Sequence, residues 1–485
     1  MSPPSATPHR LKLVDAIAQS VGFLGPVFSA SILLILLIEG ASGKSAGPAA
    51  PLSVLIATIG VLGLGWIVAE YAKRIHSAGS LYSYISAGLG ARIGAAAGVV
   101  YYAGMLMLGS SLGIYIGGYV YDTLQAEFHH GVLPVWGWQV LLLALVLAVA
   151  HVGVRVSIKA QMALALTSML VLVGFFIYLI AHAGDANSVK AFSPSSSPDG
   201  WGGVLFGVLY GVLLFTGFET SANLAEETDN PGKNIPRAVL TSLLIAAAFY
   251  LLATYAQVAG FGLDLAKIQA ALGSGETPLI FLGGPAGAGG AGSVAMRRIL
   301  ELVILLDMLA VYIGVAVAAS RGIFSLARDG WIPRRLDKVS RRHGTPVNAL
   351  VLMGAFLFIW ILVSNVAAGP FRLGSAPDYF STFIWTSTFG GFAMMVVYLL
   401  LSVSAVRGLR DAGSRVKVWI AAGVGTALTV SAVFGAIYKV SAPTVWAPYL
   451  ALATLAVALV VMALVGRRRG DTNVSESQAP ALVVD

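Results

Sequence analysis

The constraint that decides most about this chain is the number of long apolar stretches it contains. A helix needs about 20 apolar residues to cross a bilayer, and twelve stretches of that order can be drawn along the 485 residues. They run approximately over residues 16–37, 51–71, 93–121, 136–152, 161–181, 203–225, 239–261, 299–319, 348–366, 379–402, 416–437 and 445–465. Composition agrees, with 57% apolar and only 11% charged residues and a mean hydropathy of +0.84, well above that of a soluble globular chain. The expected fold class is therefore an all-α integral membrane protein of about twelve transmembrane helices.

Charge sets the expected orientation, because segments rich in Lys and Arg stay in the cytoplasm. Placing both chain ends inside puts all but seven of the 30 basic residues on that side. The seven are Lys44, Lys190, Lys267, Arg297, Arg298, Arg372 and Lys439. The inner set includes Arg328, Arg334, Arg335, Lys338, Arg341 and Arg342 in one segment and Arg467, Arg468 and Arg469 after the last stretch. Topology and anionic lipid thus account for the net charge of +8 without invoking nucleic acid. The expected organisation is a tail over 1–13, one transmembrane domain over 14–466 and a tail over 467–485. The ends, Met1 to Pro8 and Gly470 to Asp485, read as disordered, and Gly283 to Gly292, GGPAGAGGAG, as a flexible external loop. The first stretch is longer than a signal-peptide core and is kept as a span. The expected location is the cytoplasmic membrane.

Enzymatic chemistry has little foothold. There is no cysteine, which removes disulfides, haem attachment and thiolate metal sites. His129, His130, His151 and His182 lack metal-ligand spacing, and no Ser, His and acid set, phosphate loop or paired catalytic carboxylates occur. No cofactor or metal is expected. Trp136, Trp138, Trp419 and Trp446 fit interfacial belts.

Two stretches are interrupted at mid-membrane, where non-helical backbone is tolerated only against protein or a water-filled cavity. The first carries Ser20, Gly22, Phe23, Gly25 and Pro26 as SVGFLGP, in which Pro26 removes the donor to the Gly22 carbonyl. The sixth carries Gly211 and Gly217 around VLLFT. Five helices apart, the two breaks match inverted repeats that each open with a broken helix, over 14–182 and 202–403, with 414–466 peripheral. Half-helix N-termini would face an anionic group. Packing is the competing reading for these glycines, as for Gly113 and Gly117. Two acids also lie at depth. Glu219 closes the run FTGFE, and Asp307 stands fourteen residues before Arg321, roughly 21 Å along a helix. Acids at this depth are costly and read as functional.

Three motifs carry a resemblance to a known family. The run GFETSANLAEETDNPGKNIPRAV, Gly217 to Val239, resembles the sixth-helix signature of amino acid permeases in the amino acid-polyamine-organocation superfamily. AEYAKRIHSAGSLYSYI, Ala69 to Ile85, is similar to that family's second-helix exit. AASRGIFSLARDGWIPRRLDKVSRRHGTPVNAL, Ala318 to Leu350, is similar to its eighth-helix end and following loop. The likeness covers the first ten helices.

The resemblance implies a LeuT-type fold, alternating access and a small-molecule substrate, an amino acid or related amine, held at the breaks. Backbone around Ser20, Gly22, Phe23 and Gly25 would receive the substrate carboxylate. Phe215, Thr216, Gly217 and Phe218 would receive the amine, with Phe218 either a gate or a lipid-facing or core aromatic. Glu219 would be a coupling or gating residue on the cytoplasmic side, or a permanent structural anchor. Asp307 departs from the small residue usual there, and would bind a cation, carry a proton, meet a cationic amine or simply bond within the scaffold. On helix five, Thr167 and Ser168 replace a lysine found in some relatives, and would ligate sodium or only pack. Glu226 and Arg321 are the charges expected in an inner gate. The expected function is secondary active uptake of an amino acid driven by H+ or Na+. A polyamine or cationic amino acid carrier or exchanger, and a non-transporting sensor of the same fold, remain alternatives. Oligomeric state is not legible.

Overall fold

The computed structural model describes residues 10–38, 44–340, 343–411, 413–438 and 440–470, with backbone alone for 466–470. The expected disordered ends, apart from the backbone of Gly470, which closes the last helix, lie outside the described residues, together with Arg341, Arg342, Lys439 and the side chains of Arg467, Arg468 and Arg469.

Twelve helical spans among the described residues are long and apolar enough to cross a membrane. In order they are Leu13–Ile38, Gly47–Ala72, Ala91–Phe128, Val135–Val152, Val154–His182, Gly200–Glu227, Pro231–Gly260, Val294–Arg328, Val347–Val366, Asp378–Gly408, Arg415–Gly435 and Trp446–Val465, called spans one to twelve below. The count matches the sequence reading. Spans three and eight are longer than their apolar runs, because charged residues at their ends find partners. Arg297 and Arg298 pair with Glu276, Glu301 and Glu127 at one end of span eight, and Arg321 and Arg328 with Glu227 and Glu226 at the other. The face carrying Arg321 and Arg328 is called the basic face here.

Spans three and ten run along one another through small residues: a Cβ on Gly104 would lie 3.0 Å from that of Ala393. Close backbone approach is how helices gain packing energy where lipid removes the hydrophobic drive between them. Gly113 and Gly117 of span three serve the same end, against Tyr312 of span eight and Gln139 of span four. Exposed large apolar side chains such as Leu170 and Ile177 on span five, Val351 and Ile359 on span nine, Trp419 on span eleven and Val460 on span twelve form the surface suited to lipid. Trp136 and Trp446 are exposed as well.

Both interruptions are real backbone breaks. Span one is helical over Leu13–Leu24, turns at Gly25 with φ 55° and ψ 63°, and restarts as Pro26–Ile38. Proline suits the first position of the new helix, since its missing N–H is one that has no intrahelical acceptor. In span six the α-helix ends at Gly211, tightens into a 3-10 turn over Val212–Phe215, extends at Thr216 and reverses at Gly217 with φ 106°. It resumes as 3-10 helix over Thr220–Glu227.

One expectation is corrected. The segment Gly283 to Gly292 is a folded turn: Ala291, Gly292 and Ser293 N–H groups donate to the carbonyls of Leu282, Gly284 and Gly283 at 2.8, 2.8 and 3.0 Å. Paired backbone groups order a glycine-rich stretch despite its composition.

At Gly217 a Cβ would lie 2.0 Å from Cδ1 of the Phe23 ring and φ lies where L side chains are strained, together a cost of about 1–3 kcal/mol or more. Gly217→Ala is expected to lower the thermal midpoint of the purified protein, whereas Gly423→Ala, with open space around it, leaves it within error.

Candidate functional site

The two breaks lie face to face at mid-membrane. Ser20 Oγ donates to the Phe218 carbonyl at 2.9 Å and accepts from Ser221 N–H at 3.0 Å. The Phe23 ring covers Gly217. Tyr250 of span seven bridges the two, its hydroxyl 2.9 Å from the Leu214 carbonyl and 3.4 Å from that of Leu24. Phe215 presents its ring edge-on to Tyr250 at 5.2 Å. Carbonyls released by the breaks are thus met by side chains, as hydrocarbon demands.

Gly22 faces Gln161 of span five so closely that a Cβ would strike its side chain. The Gln161 amide donates to Ala310 O of span eight at 3.1 Å, and Gln19 donates to Gly314 O at 3.2 Å. Their Oε1 atoms, with the Thr216 hydroxyl, Ser221 Oγ and Tyr312 OH, are buried and have no hydrogen-bond partner among the described residues. Such orphaned atoms are uncommon in native interiors, and several of them surround the breaks.

Glu219 is fully buried. Tyr101 of span three donates to its Oε1 and Tyr398 of span ten to its Oε2, each at 2.7 Å. One donor on each oxygen suits a carboxylate held between span six and two other spans. Phe218, also fully buried, lies 5.7 Å ring to ring from Tyr398 and against Gly65 of span two.

Asp307 lies at the other break. Its Oδ2 accepts from the backbone N–H of Val27 and Phe28 at 3.0 and 2.9 Å, so it caps the half-helix Pro26–Ile38. Its Oδ1 is buried without a partner among the described residues.

The hydroxyls expected on span five do not reach the break. Thr167 is exposed on the bundle surface, and Ser168 donates to the Leu164 carbonyl at 2.8 Å within its own helix. The face turned to span one carries Gln161, six residues before Thr167 and seven before Ser168, so Thr167 points away from that face, while Ser168 shares it two turns along and spends its hydroxyl proton within its own helix. A helix turns 100° per residue, and without a partner in view the facing of a span cannot be read from a run without a regular polar face.

On the basic face Arg321 meets Glu227 at 2.7 and 3.3 Å, and Arg328 meets Glu226 through two contacts of 2.7 Å. Glu226 and Arg321 are both engaged, though not with each other. Glu226 also accepts from Ala78 N–H at 2.9 Å, Asn223 donates to the Ala78 carbonyl at 3.1 Å, and Tyr82 donates to Asp329. Leu11 exchanges backbone hydrogen bonds with Glu227 and Asp229 at 2.9 Å. The half of span six nearest the basic face is thereby fastened to span eight, to the loop after span two and to the entering chain.

Sequence reasoning missed Tyr101, Tyr250, Tyr398 and Gln161. Their one signal was polarity within apolar runs, since a buried phenol or amide needs a partner. Removing one Glu219 donor leaves a buried carboxylate oxygen unmet, at about 1–3 kcal/mol. Tyr101→Phe and Tyr398→Phe are each expected to lower the thermal midpoint in the Glu219 protein and to do so less when Glu219→Gln is also present, a coupling that a double-mutant cycle reads directly.

Comparison with known proteins agrees with this architecture. A structural superposition on the manganese transporter of Eremococcus coleocola, a LeuT-fold protein, gives a TM-score of 0.55 at 13% identity, covering 94% of this chain and 95% of that one. That likeness concerns the fold: ten core helices in two inverted repeats with two peripheral ones. The branched-chain amino acid permease of Bacillus subtilis is 22% identical over 66% of this chain and 68% of its own length. The γ-aminobutyric acid permease of Escherichia coli is 26% identical over 77% of both chains, and the branched-chain amino acid permease of Lactococcus lactis is 24% identical over 71% of this chain and 76% of its own. The amino acid permease family model matches residues 21–469, and with both breaks and all of the twelve spans but the first turns of span one inside that match, the chain is a multi-pass secondary transporter belonging to the amino acid permease family.

Proposed function

We propose that this carrier moves an amino acid or a related amine across the cytoplasmic membrane by alternating access, with its basic face toward the cytoplasm and uptake driven by a proton or sodium gradient. The observation that carries the reading is the apposition of two mid-membrane breaks, tied by Ser20, Phe23 and Tyr250, with a buried carboxylate beside each. The relatives named above, permeases for branched-chain amino acids and for γ-aminobutyric acid, support a small amine-bearing substrate.

Substrate would sit between Gly22, Phe23 and Gly25 on one side and Phe215, Thr216, Gly217 and Phe218 on the other. Glu219, bonded to spans three and ten, links the broken span to the scaffold, so movement of span six must stretch or exchange the two tyrosine contacts. Opening toward the basic face must also part the pairs Arg321–Glu227 and Arg328–Glu226. The exposed pair contributes only about 0–1 kcal/mol, small enough to open and close within a transport cycle. The Arg321 pair, whose guanidinium is nearly buried, resists more. An exchanger or cationic-substrate carrier is the second reading, favoured by the two buried acids at the breaks.

Purified protein in proteoliposomes, given a labelled amino acid and amine mixture under a proton or a sodium gradient imposed separately, is expected to accumulate at least one compound under one of the two gradients. Uptake that appears only with unlabelled substrate preloaded inside would establish exchange. Binding without flux in either format would support the sensor reading and overturn the carrier. For the gate, Arg328→Glu is expected to slow counterflow several-fold, and Arg328→Glu combined with Glu226→Arg to restore most of it. A double variant no faster than the single one would remove that pair from the gate.

A further inference from the structure

The N-terminus of the half-helix Pro26–Ile38 is an anion site that the chain has already filled. A helix leaves its first amides without intrahelical partners and places partial positive charge there. At this terminus Pro26 has no N–H, Val27 and Phe28 both donate to Asp307 Oδ2, and Ser29 N–H returns to the Gly25 carbonyl at 2.8 Å. No donor remains for a ligand carboxylate, the group such a terminus otherwise attracts. Gly25 lets span eight come close, since a Cβ there would lie 2.3 Å from Cγ2 of Val311, one turn along from Asp307.

The rest of the surroundings suit a cation. Asp307 is fully buried, and its Oδ1 has no partner among the described residues although a carboxylate oxygen takes up to two donors. The Thr216 hydroxyl at the facing break is likewise unmet. Among the described residues the buried charged side chains are Glu70, Glu219, Glu301, Asp307 and Arg321. The one base, Arg321, is paired with Glu227 and stands roughly 21 Å along the helix from Asp307. A zwitterion placed here would bring a third carboxylate to Glu219 and Asp307 with no base to face it.

We propose that Asp307 takes the place of a substrate carboxylate, so that the site selects organic ammonium ions lacking an α-carboxylate, their N–H groups donating to Asp307 Oδ1. The inference rests on the carrier reading above and narrows its substrate class. A zwitterionic amino acid would have to displace Asp307 from Val27 and Phe28 and leave two carboxylates together in a buried site, which hydrocarbon surroundings penalise.

The test compares matched ligand pairs on the full-length purified protein at neutral pH, by thermal shift and by uptake into proteoliposomes. The pairs are leucine with 3-methylbutylamine, phenylalanine with 2-phenylethylamine, and lysine with 1,5-diaminopentane. In any pair that binds, the amine is expected to half-saturate at a concentration about tenfold or more below that of its amino acid. Asp307→Asn keeps an acceptor for Val27 and Phe28 without the charge, and is expected to weaken the amine by about tenfold while sparing the amino acid. Asp307→Ala frees both amides and is expected to reverse the order within the pair. If that variant is not monodisperse, the Asn variant alone decides. An amino acid bound more tightly than its amine by the unaltered protein, or an amine-to-amino-acid affinity ratio that neither variant changes, would overturn the inference and leave the carrier intact. No binding and no uptake of either member of every pair would overturn both.

Discussion

Backbone polar groups cannot be left bare in hydrocarbon, and the centre of this protein follows from that. Interrupting spans one and six frees carbonyls and amides where no water is at hand, at several kcal/mol for each group left unmet. The fold meets the cost by setting the breaks against each other and supplying side chains for what the helices no longer satisfy. Ser20 serves Phe218 and Ser221, Tyr250 serves Leu214 and Leu24, and Asp307 serves Val27 and Phe28. The residues at the breaks are therefore held from four spans, and no one of them can shift without disturbing another.

The same requirement explains the placing of the two acids. Each is coupled to a broken segment: Glu219 sits within span six and is held by phenols of spans three and ten, while Asp307 belongs to span eight and is held by amides of span one. One carboxylate has both oxygens engaged within the protein; the other keeps one oxygen unmet. That asymmetry separates a residue whose two oxygens tie span six to spans three and ten from one with an acceptor oxygen still open. The basic face adds a third layer, in which Arg321, Arg328, Glu226 and Glu227 join the ends of spans six and eight.

Much of this was legible because membrane proteins obey few and strong rules. Run lengths determined the number of spans, and Pro26 with its neighbouring glycines marked the first break. FTGFE marked the second and its buried acid, and the segments around Gly217, Ala69 and Ala318 pointed to the permease family. Facing was harder. Span five carries Gln161, Thr167 and Ser168 without a regular polar face, so nothing local distinguished Gln161, which packs on Gly22, from Thr167, which looks outward. The folded turn at Gly283 to Gly292 was hidden for a related reason, since glycine content reports conformational freedom and says nothing of which backbone groups will pair.

By itself the sequence determined a twelve-span helical membrane protein, broken at Gly25 and near Gly217, with acids at positions 219 and 307 within apolar runs. Those are properties of length, hydropathy and local backbone chemistry, which neighbours along the chain suffice to specify. Only the tertiary structure decided that Asp307 reaches the amides of Val27 and Phe28, 280 and 279 residues away, and that Glu219 lies between Tyr101 and Tyr398. Those contacts depend on the rotation and depth of helices packed side by side. The apolar runs fix neither, because lipid accepts any face of such a helix equally well, and the choice falls to small residues and paired polar groups on partners far away in the chain.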